Sequence, residues 1–307
     1  MENKNYLYNN YLNMARNLRT DGNLLKALSF YKKAYGLNIG KMDTELIMDM
    51  ALIYDEIGLK ADAEEKYKEV LKLDEDDARA YYGLAVIYDE DGKLDRAKEF
   101  YKKAIDKNEN YDKAYFFLAN IYDELEEKDK AIFYYKRAIE INPNDLWANA
   151  NLSCIYEENN ENEEALFYID KALEIEEDNY KILFNKGVIL NKLGNFEEAK
   201  KLYEKSIKSN PQYPYSFLNL AVMYREDKEF LKAIEVINEG IRENEEQGFL
   251  YYNRACFYVN IGKLDEALED INKCIELDDL FLDYMKKDVE LDPIRHLKKY
   301  KELYNWV

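Results

Sequence analysis

The stretch Ala78–Tyr111, ARAYYGLAVIYDEDGKLDRAKEFYKKAIDKNENY, decides the fold. Tyr81, Leu84, Ala85 and Tyr88 fall on one face of a first helix, and Ala97, Tyr101 and Ala104 on one face of a second. Gly92 lies between them, so the segment reads as a helical hairpin. Stepping by thirty-four residues returns the same columns. Ala97 becomes Ala63, Ala131, Ala165, Ala199, Ala233 and Ala267, and Ala85 becomes Ala51, Ala119, Ser153, Gly187, Ala221 and Ala255. Tyr88 becomes Tyr54, Tyr122, Tyr156, Leu190, Tyr224 and Tyr258.

Seven copies run in register from Thr44 to Phe281. An eighth, Tyr8–Lys41, carries Tyr11, Ala15, Leu18, Gly22, Ala27, Tyr31 and Ala34, offset by two extra residues. The period and the small, aromatic and alanine columns resemble the tetratricopeptide repeat. That resemblance implies an all-α, right-handed superhelical α-solenoid, because a hairpin with one apolar face must bury it against its neighbours. The expected organisation is an extension over 1–7 and repeats at 8–41, 44–77, 78–111, 112–145, 146–179, 180–213, 214–247 and 248–281. A helical cap is expected over 282–307.

Each repeat is expected to hold helix A in about its first fourteen positions and helix B to about position twenty-eight. Gly22, Gly58, Gly92, Gly194 and Gly262 stand at the turn, replaced by Glu126, Asn160 and Lys228 in three copies. Leu282–Val289 reads as one more A-type helix with Asp288 turned inward, broken by Asp292-Pro293. Ile294, Leu297, Tyr300, Leu303 and Tyr304 then form a last amphipathic segment.

The 307 residues carry 63 acidic against 44 basic side chains, a net charge of −19. This balance disfavours nucleic acid and anionic membranes and favours basic partners. No eighteen-residue apolar run exists, and the opening MENKNYLYNNYLNMARN has no apolar leader core, so no membrane insertion and a cytoplasmic location are expected. The Asn-, Lys-, Ile- and Tyr-rich composition points to an AT-rich bacterial genome as the expected source. Cys154, Cys256 and Cys274 read as small core thiols, and a lone His296 leaves no set of metal ligands or His-based triad. With no phosphate-binding glycine loop or nucleophile motif either, no catalytic residue, cofactor or metal is assigned, and the chain is not read as an enzyme.

The family resemblance implies that positions two, five, six, nine, twelve and thirteen face a ligand. Positions twelve and thirteen give Asp55-Glu56, Asp89-Glu90, Asp123-Glu124 and Glu157-Glu158. Carboxylates at a helix C-terminus oppose its dipole by about 0.3–1 kcal/mol each. Like charges 10 Å apart repel by roughly 0.4 kcal/mol in water. Such a band suits a basic ligand, although duplication alone would also reproduce it as solvated surface. Position six gives Asn151, Asn185, Asn219 and Asn253, with Asn13 in the first repeat, amides able to donate to and accept from a peptide backbone. Position five offers Tyr82, Phe116, Phe184 and Tyr252, suited either to apolar pockets or to packing between A helices. The family's carboxylate clamp would need Phe116, Asn120, Asn151, Lys181 and Asn185 to carry three cations, and only Lys181 is one, so it is not expected. Lys32-Lys33, Lys102-Lys103, Lys136-Arg137, Lys171, Lys205 and Lys273 belong to the opposite, solvated face. The expected function is that of an adaptor binding a peptide or protein segment of basic character in the concave groove. The alternatives are a sensor of a small signalling peptide and a self-associating scaffold, and the oligomeric state is open.

Overall fold

The computed structural model describes residues 2–303, and among these every regular element is helical. The first pair is α1 (Glu2–Thr20) and α2 (Leu24–Tyr35), so residues 2–7 extend the first helix. After a single 3-10 turn at Gly40–Met42 come α3 (Thr44–Glu56) with α4 (Lys60–Leu73), α5 (Ala78–Glu90) with α6 (Leu94–Lys107), and α7 (Asp112–Glu124) with α8 (Lys128–Ile141). Then follow α9 (Leu146–Glu158) with α10 (Asn162–Ile175), and α11 (Tyr180–Lys192) with α12 (Phe196–Ser209). The last pairs are α13 (Pro214–Glu226) with α14 (Phe230–Glu243), and α15 (Gly248–Asn260) with α16 (Leu264–Leu277). Helix B ends at position twenty-eight in the first repeat, as its spacing suggests, and runs two residues further, to position thirty, in the seven repeats from Thr44 onward. Good helix formers such as Lys72 and Leu73 continue it until Asp74, whose backbone turns extended. The chain divides into two compact units between Ala148 and Asn149.

Within a pair the helices meet through the alanine columns. Ala51, Ala63, Ala85, Ala97, Ala221 and Ala233 are all fully buried, which lets the two backbones approach closely. Ser153 replaces alanine without an orphaned hydroxyl, because Oγ donates to the Ala165 carbonyl at 2.7 Å. A second layer comes from position twenty-four of helix B, where Tyr31, Tyr67, Tyr101, Tyr135 and Tyr203 are at most 1% exposed.

The turn from helix A to helix B closes the same way throughout. In α5 the Gly92 N–H donates to the Asp89 carbonyl and the Lys93 N–H to the Tyr88 carbonyl, both at 2.8 Å. That pairing needs a left-handed residue after the cap. Gly92 supplies it at φ 69°, while Glu126, Asn160 and Lys228 are forced to φ 58°, 61° and 63°. Several of the opposite junctions are capped by side chains: Asp43 accepts the Leu46 N–H, Asp77 those of Arg79 and Ala80, and Asn179 those of Lys181 and Ile182, whereas Tyr111, Tyr213 and Gln247 supply no such cap.

The C-terminal segment departs from the expected helix over Leu282–Val289. It breaks into α17 (Phe281–Met285), a 3-10 turn at Val289–Leu291, α18 (Asp292–Arg295) and α19 (Lys298–Leu303). Asp288 is the cause: its carboxylate accepts the Glu290 N–H at 2.9 Å and starts a new turn. Pro293 begins α18 instead of ending a helix, since a first-turn residue has no N–H to satisfy. Arg295 ties the segment together by donating to the carbonyls of Met285 at 3.1 Å and Asp288 at 2.7 Å. Ile294 and Tyr300 are buried as expected; the Leu303 side chain and Tyr304 lie outside the described residues.

Candidate functional site

In the first unit the paired acids end α3, α5 and α7. Asp55, Asp89 and Asp123 are half-buried, and Glu56, Glu90 and Glu124 are exposed. The geometry sets position twelve of one repeat against position thirteen of the next. Burial raises the Asp55 carboxyl above its ordinary value, the Glu90 charge raises it further, and Lys60 pulls the other way. Burial likewise raises Asp89, where a hydrogen bond from the Tyr101 hydroxyl at 3.1 Å pulls it down and the charges of Glu124 and Glu90 push it up. Lys60 pairs with Glu90 at 2.9 Å and Lys128 with Asp123 at 2.9 Å. Asp55 and Asp89 thus carry strained negative charge, with exposed glutamates beside them.

Tyr82 and Phe116 lie within an aromatic layer. Tyr82 stands 5.0 Å from Tyr111 and 6.1 Å from Phe117, and Phe116 meets Phe117 edge-on at 5.2 Å. They pack helices together, and each is still half-buried. After Asn13, position six in this unit holds Asp49, Gly83 and Phe117, each set against the tyrosine at position twenty-four of the preceding repeat. A Cβ on Gly83 would stand 2.3 Å from Cζ of Tyr67, and Phe117 stacks on Tyr101 at 6.1 Å. Asp49 accepts from Arg19 at 2.6 Å and from the Tyr31 hydroxyl at 2.9 Å. The repeat positions themselves, twenty-four for Tyr31 and six of the next repeat for Asp49, are the signal in the sequence that could have found this contact.

In the second unit the asparagine column is engaged in separate ways. Asn185 Nδ2 donates to the Cys154 sulfur at 3.3 Å, Asn219 Nδ2 to the Tyr203 hydroxyl at 3.3 Å, and Asn253 Nδ2 to the Phe249 carbonyl at 2.8 Å. Asn151 is half-buried. Asn185 also lines a cavity of about 130 Å³ with Cys154, Glu157, Phe184, Val188 and Ile189. Glu157 is joined to Lys192 at 2.5 Å, and Glu158 is exposed. Tyr252 is not open: it is 6% exposed, in contact with Phe281 and Tyr284, and its hydroxyl donates to Asp288. Burial pushes the Cys256 and Cys274 thiols up to about 12, which makes both inert. Among the described residues no three His, Cys, Asp or Glu are grouped to hold a metal ion.

Models of the family described as tetratricopeptide repeat match residues 48–112, 112–145, 134–167, 180–213, 202–235 and 250–279. The chain belongs to the tetratricopeptide repeat family. No curated protein matches it. Among solved structures, a tetratricopeptide repeat protein from Parabacteroides merdae is 20% identical, covering 79% of this chain and 97% of its own, with a TM-score of 0.59. Pseudomonas aeruginosa pilF is 14% identical, over 74% and 99%, with a TM-score of 0.60. YrrB, described as a tetratricopeptide repeat protein with an unusual peptide-binding site, is 25% identical over 61% and 95%, with a TM-score of 0.52. The fold is thus that of an interaction scaffold built from repeats. Among the described residues no helix is long and apolar enough to cross a membrane.

Proposed function

We propose that this tetratricopeptide repeat protein is a cytoplasmic, non-enzymatic adaptor whose first unit binds a peptide or protein segment through its basic side chains. The observation that carries this reading is the pair of half-buried carboxylates, Asp55 and Asp89, raised by burial and by Glu90 and Glu124. A lysine or arginine placed among these four would relieve a cost already present in the unbound fold. In the second unit Asn151, Asn185, Asn219 and Asn253 would supply amides to a peptide backbone, since each amide group has two donor hydrogens and an acceptor oxygen. The peptide-binding site in the description of YrrB supports peptide as the ligand class.

The test is a pull-down from the native lysate with the wild type and the variant Asp55→Asn, Asp89→Asn, Glu90→Lys, Glu124→Lys, at low and moderate salt. The half-buried positions are replaced by isosteric amides so that helicity, followed by circular dichroism, is unchanged. A partner lost in the variant and weakened by salt supports the reading. Equal recovery by both proteins would remove the acidic band from the binding site.

A further inference from the structure

At the end of the second unit the chain lays its own acidic segment across α13 and α15. Glu290 pairs with Arg225 at 2.9 Å, although the two are 65 residues apart in sequence. Asp288 accepts the Tyr252 hydroxyl, and the Cys256 thiol lies beside Glu290. Leu291, fully buried, belongs to the apolar cluster of Tyr252, Cys256 and Val259, while Val289 between the two acids is 74% exposed. Arg225, Tyr252 and Cys256 occupy repeat positions twelve, five and nine. Two of these columns carry the acidic and aromatic residues of the candidate site in the first unit. Asp288-Val289-Glu290-Leu291 is therefore seated as a bound peptide would be, with alternate acids hooked and the next residue buried.

We propose that Arg225, Tyr252 and Cys256 form a binding site for an acidic segment of a partner protein with the pattern Asp-x-Glu-apolar. Residues 288–291 fill that site until the partner displaces them. The seated segment shows which chemistry the site accepts: a guanidinium and a phenol hydroxyl spaced for two carboxylates, and an apolar floor for the following side chain. The tail is built to yield. It consists of helical pieces of five, three, four and six residues, each too short to be stable alone. A terminal segment of this kind opens at lower free energy than the paired helices beneath it. Because the tail is tethered, its millimolar-scale effective concentration suppresses weak competitors and admits a partner that adds contacts of its own.

The test uses the full chain and a fluorescein-labelled peptide, Lys-Lys-Asp-Val-Glu-Leu-Asp-Pro, followed by anisotropy. Asp288→Asn with Glu290→Gln weakens the hooks and leaves the site intact. This variant should bind the peptide at least tenfold more tightly than the wild type, with faster hydrogen exchange over 281–303 when peptide is added. Adding Arg225→Glu should abolish binding. The exchanged pair Arg225→Glu, Glu290→Arg should keep the tail protected and reject the peptide. Equal affinity in all four proteins, no binding to the hook-weakened variant while its helicity is native, or its dimerisation by tail exchange would each overturn the proposal.

Discussion

Gly83 gives the sharpest test of the packing that shapes the candidate site. A Cβ at this position would stand 2.3, 2.5 and 2.6 Å from three ring atoms of Tyr67, where ordinary contact begins at 3.4 Å. The ring or the helix must therefore move by more than 1 Å. Tyr67 is 1% exposed and has no space into which to retreat. Overpacking of a core costs about 1–3 kcal/mol, and three simultaneous contacts place this case at about 3. Ala is favoured over Gly inside a helix by about 1 kcal/mol, so Gly83→Ala should lose about 2 kcal/mol net. Gly83→Asn, which would extend the asparagine column into this repeat, gains less propensity and should lose about 3 kcal/mol or more. The remedy is visible elsewhere in the chain: Ile169 and Ile237 hold the tyrosine position in the repeats that precede Asn185 and Asn253. Tyr67→Ile should then couple favourably to Gly83→Asn, recovering about 1–2 kcal/mol relative to additivity. Urea titration followed by circular dichroism measures both singles and the double. A Gly83→Ala protein as stable as wild type would show that Tyr67 does not fill position six.

At the turns, Glu126→Gly and Lys228→Gly should each stabilise by roughly 0.5–1 kcal/mol, because a left-handed side chain costs about 1–2 kcal/mol and glycine returns part of that as entropy. Gly92→Ala, where nothing stands within 4 Å of the new Cβ, should destabilise through the backbone alone; thermal melts in which Gly92→Ala matches wild type, or in which the glycine substitutions destabilise, would refute the assignment. Asp55 and Asp89 have carboxyls raised above their ordinary 3.8, so their stabilising protonated forms are fully present below that value. That contribution is lost as pH rises through the raised folded values. Asp89→Asn should therefore be more stable than wild type at pH 7, with the difference fading below about pH 4; a constant difference across the titration would argue against the burial of Asp89.

The repeat frame was legible because its signals are local. Alanine columns, turn glycines and acidic caps each act within one hairpin, and a fixed period makes them additive. The candidate acids were legible as residue types, but their coupling was not: Asp55 meets Glu90 through the stacking of neighbouring repeats. Position six shows the same limit. Its surroundings are set by the preceding helix B, where Tyr67 closes on Gly83 while Tyr203 at the same position accepts from Asn219, a relation between repeats. The tail departs from its expected helix for a further reason. Residues 282–289 have acceptable helix propensity, and only the Asp288 cap, the Arg225–Glu290 pair and the Arg295 contacts break them into short turns.

The charge pattern of the two units bears on whether the acidic band is inherited surface or a working one. Both units contain repeats in the same register, so simple inheritance would leave like acids at positions twelve and thirteen throughout. In the second unit the acid at position twelve of one repeat, Glu157, is joined by Lys192 at position thirteen of the next, and Arg225 at position twelve is met by Glu290. There the columns have diverged into attraction. In the first unit the same pairs of positions hold Asp55 with Glu90 and Asp89 with Glu124, and the aspartates carry the cost in their raised carboxyls. A single lysine, Lys192, makes the contact attractive in the second unit. Like acids set together in two successive interfaces of the first unit add to the burial that chiefly raises these aspartates, an arrangement suited to the cation-receiving surface proposed above.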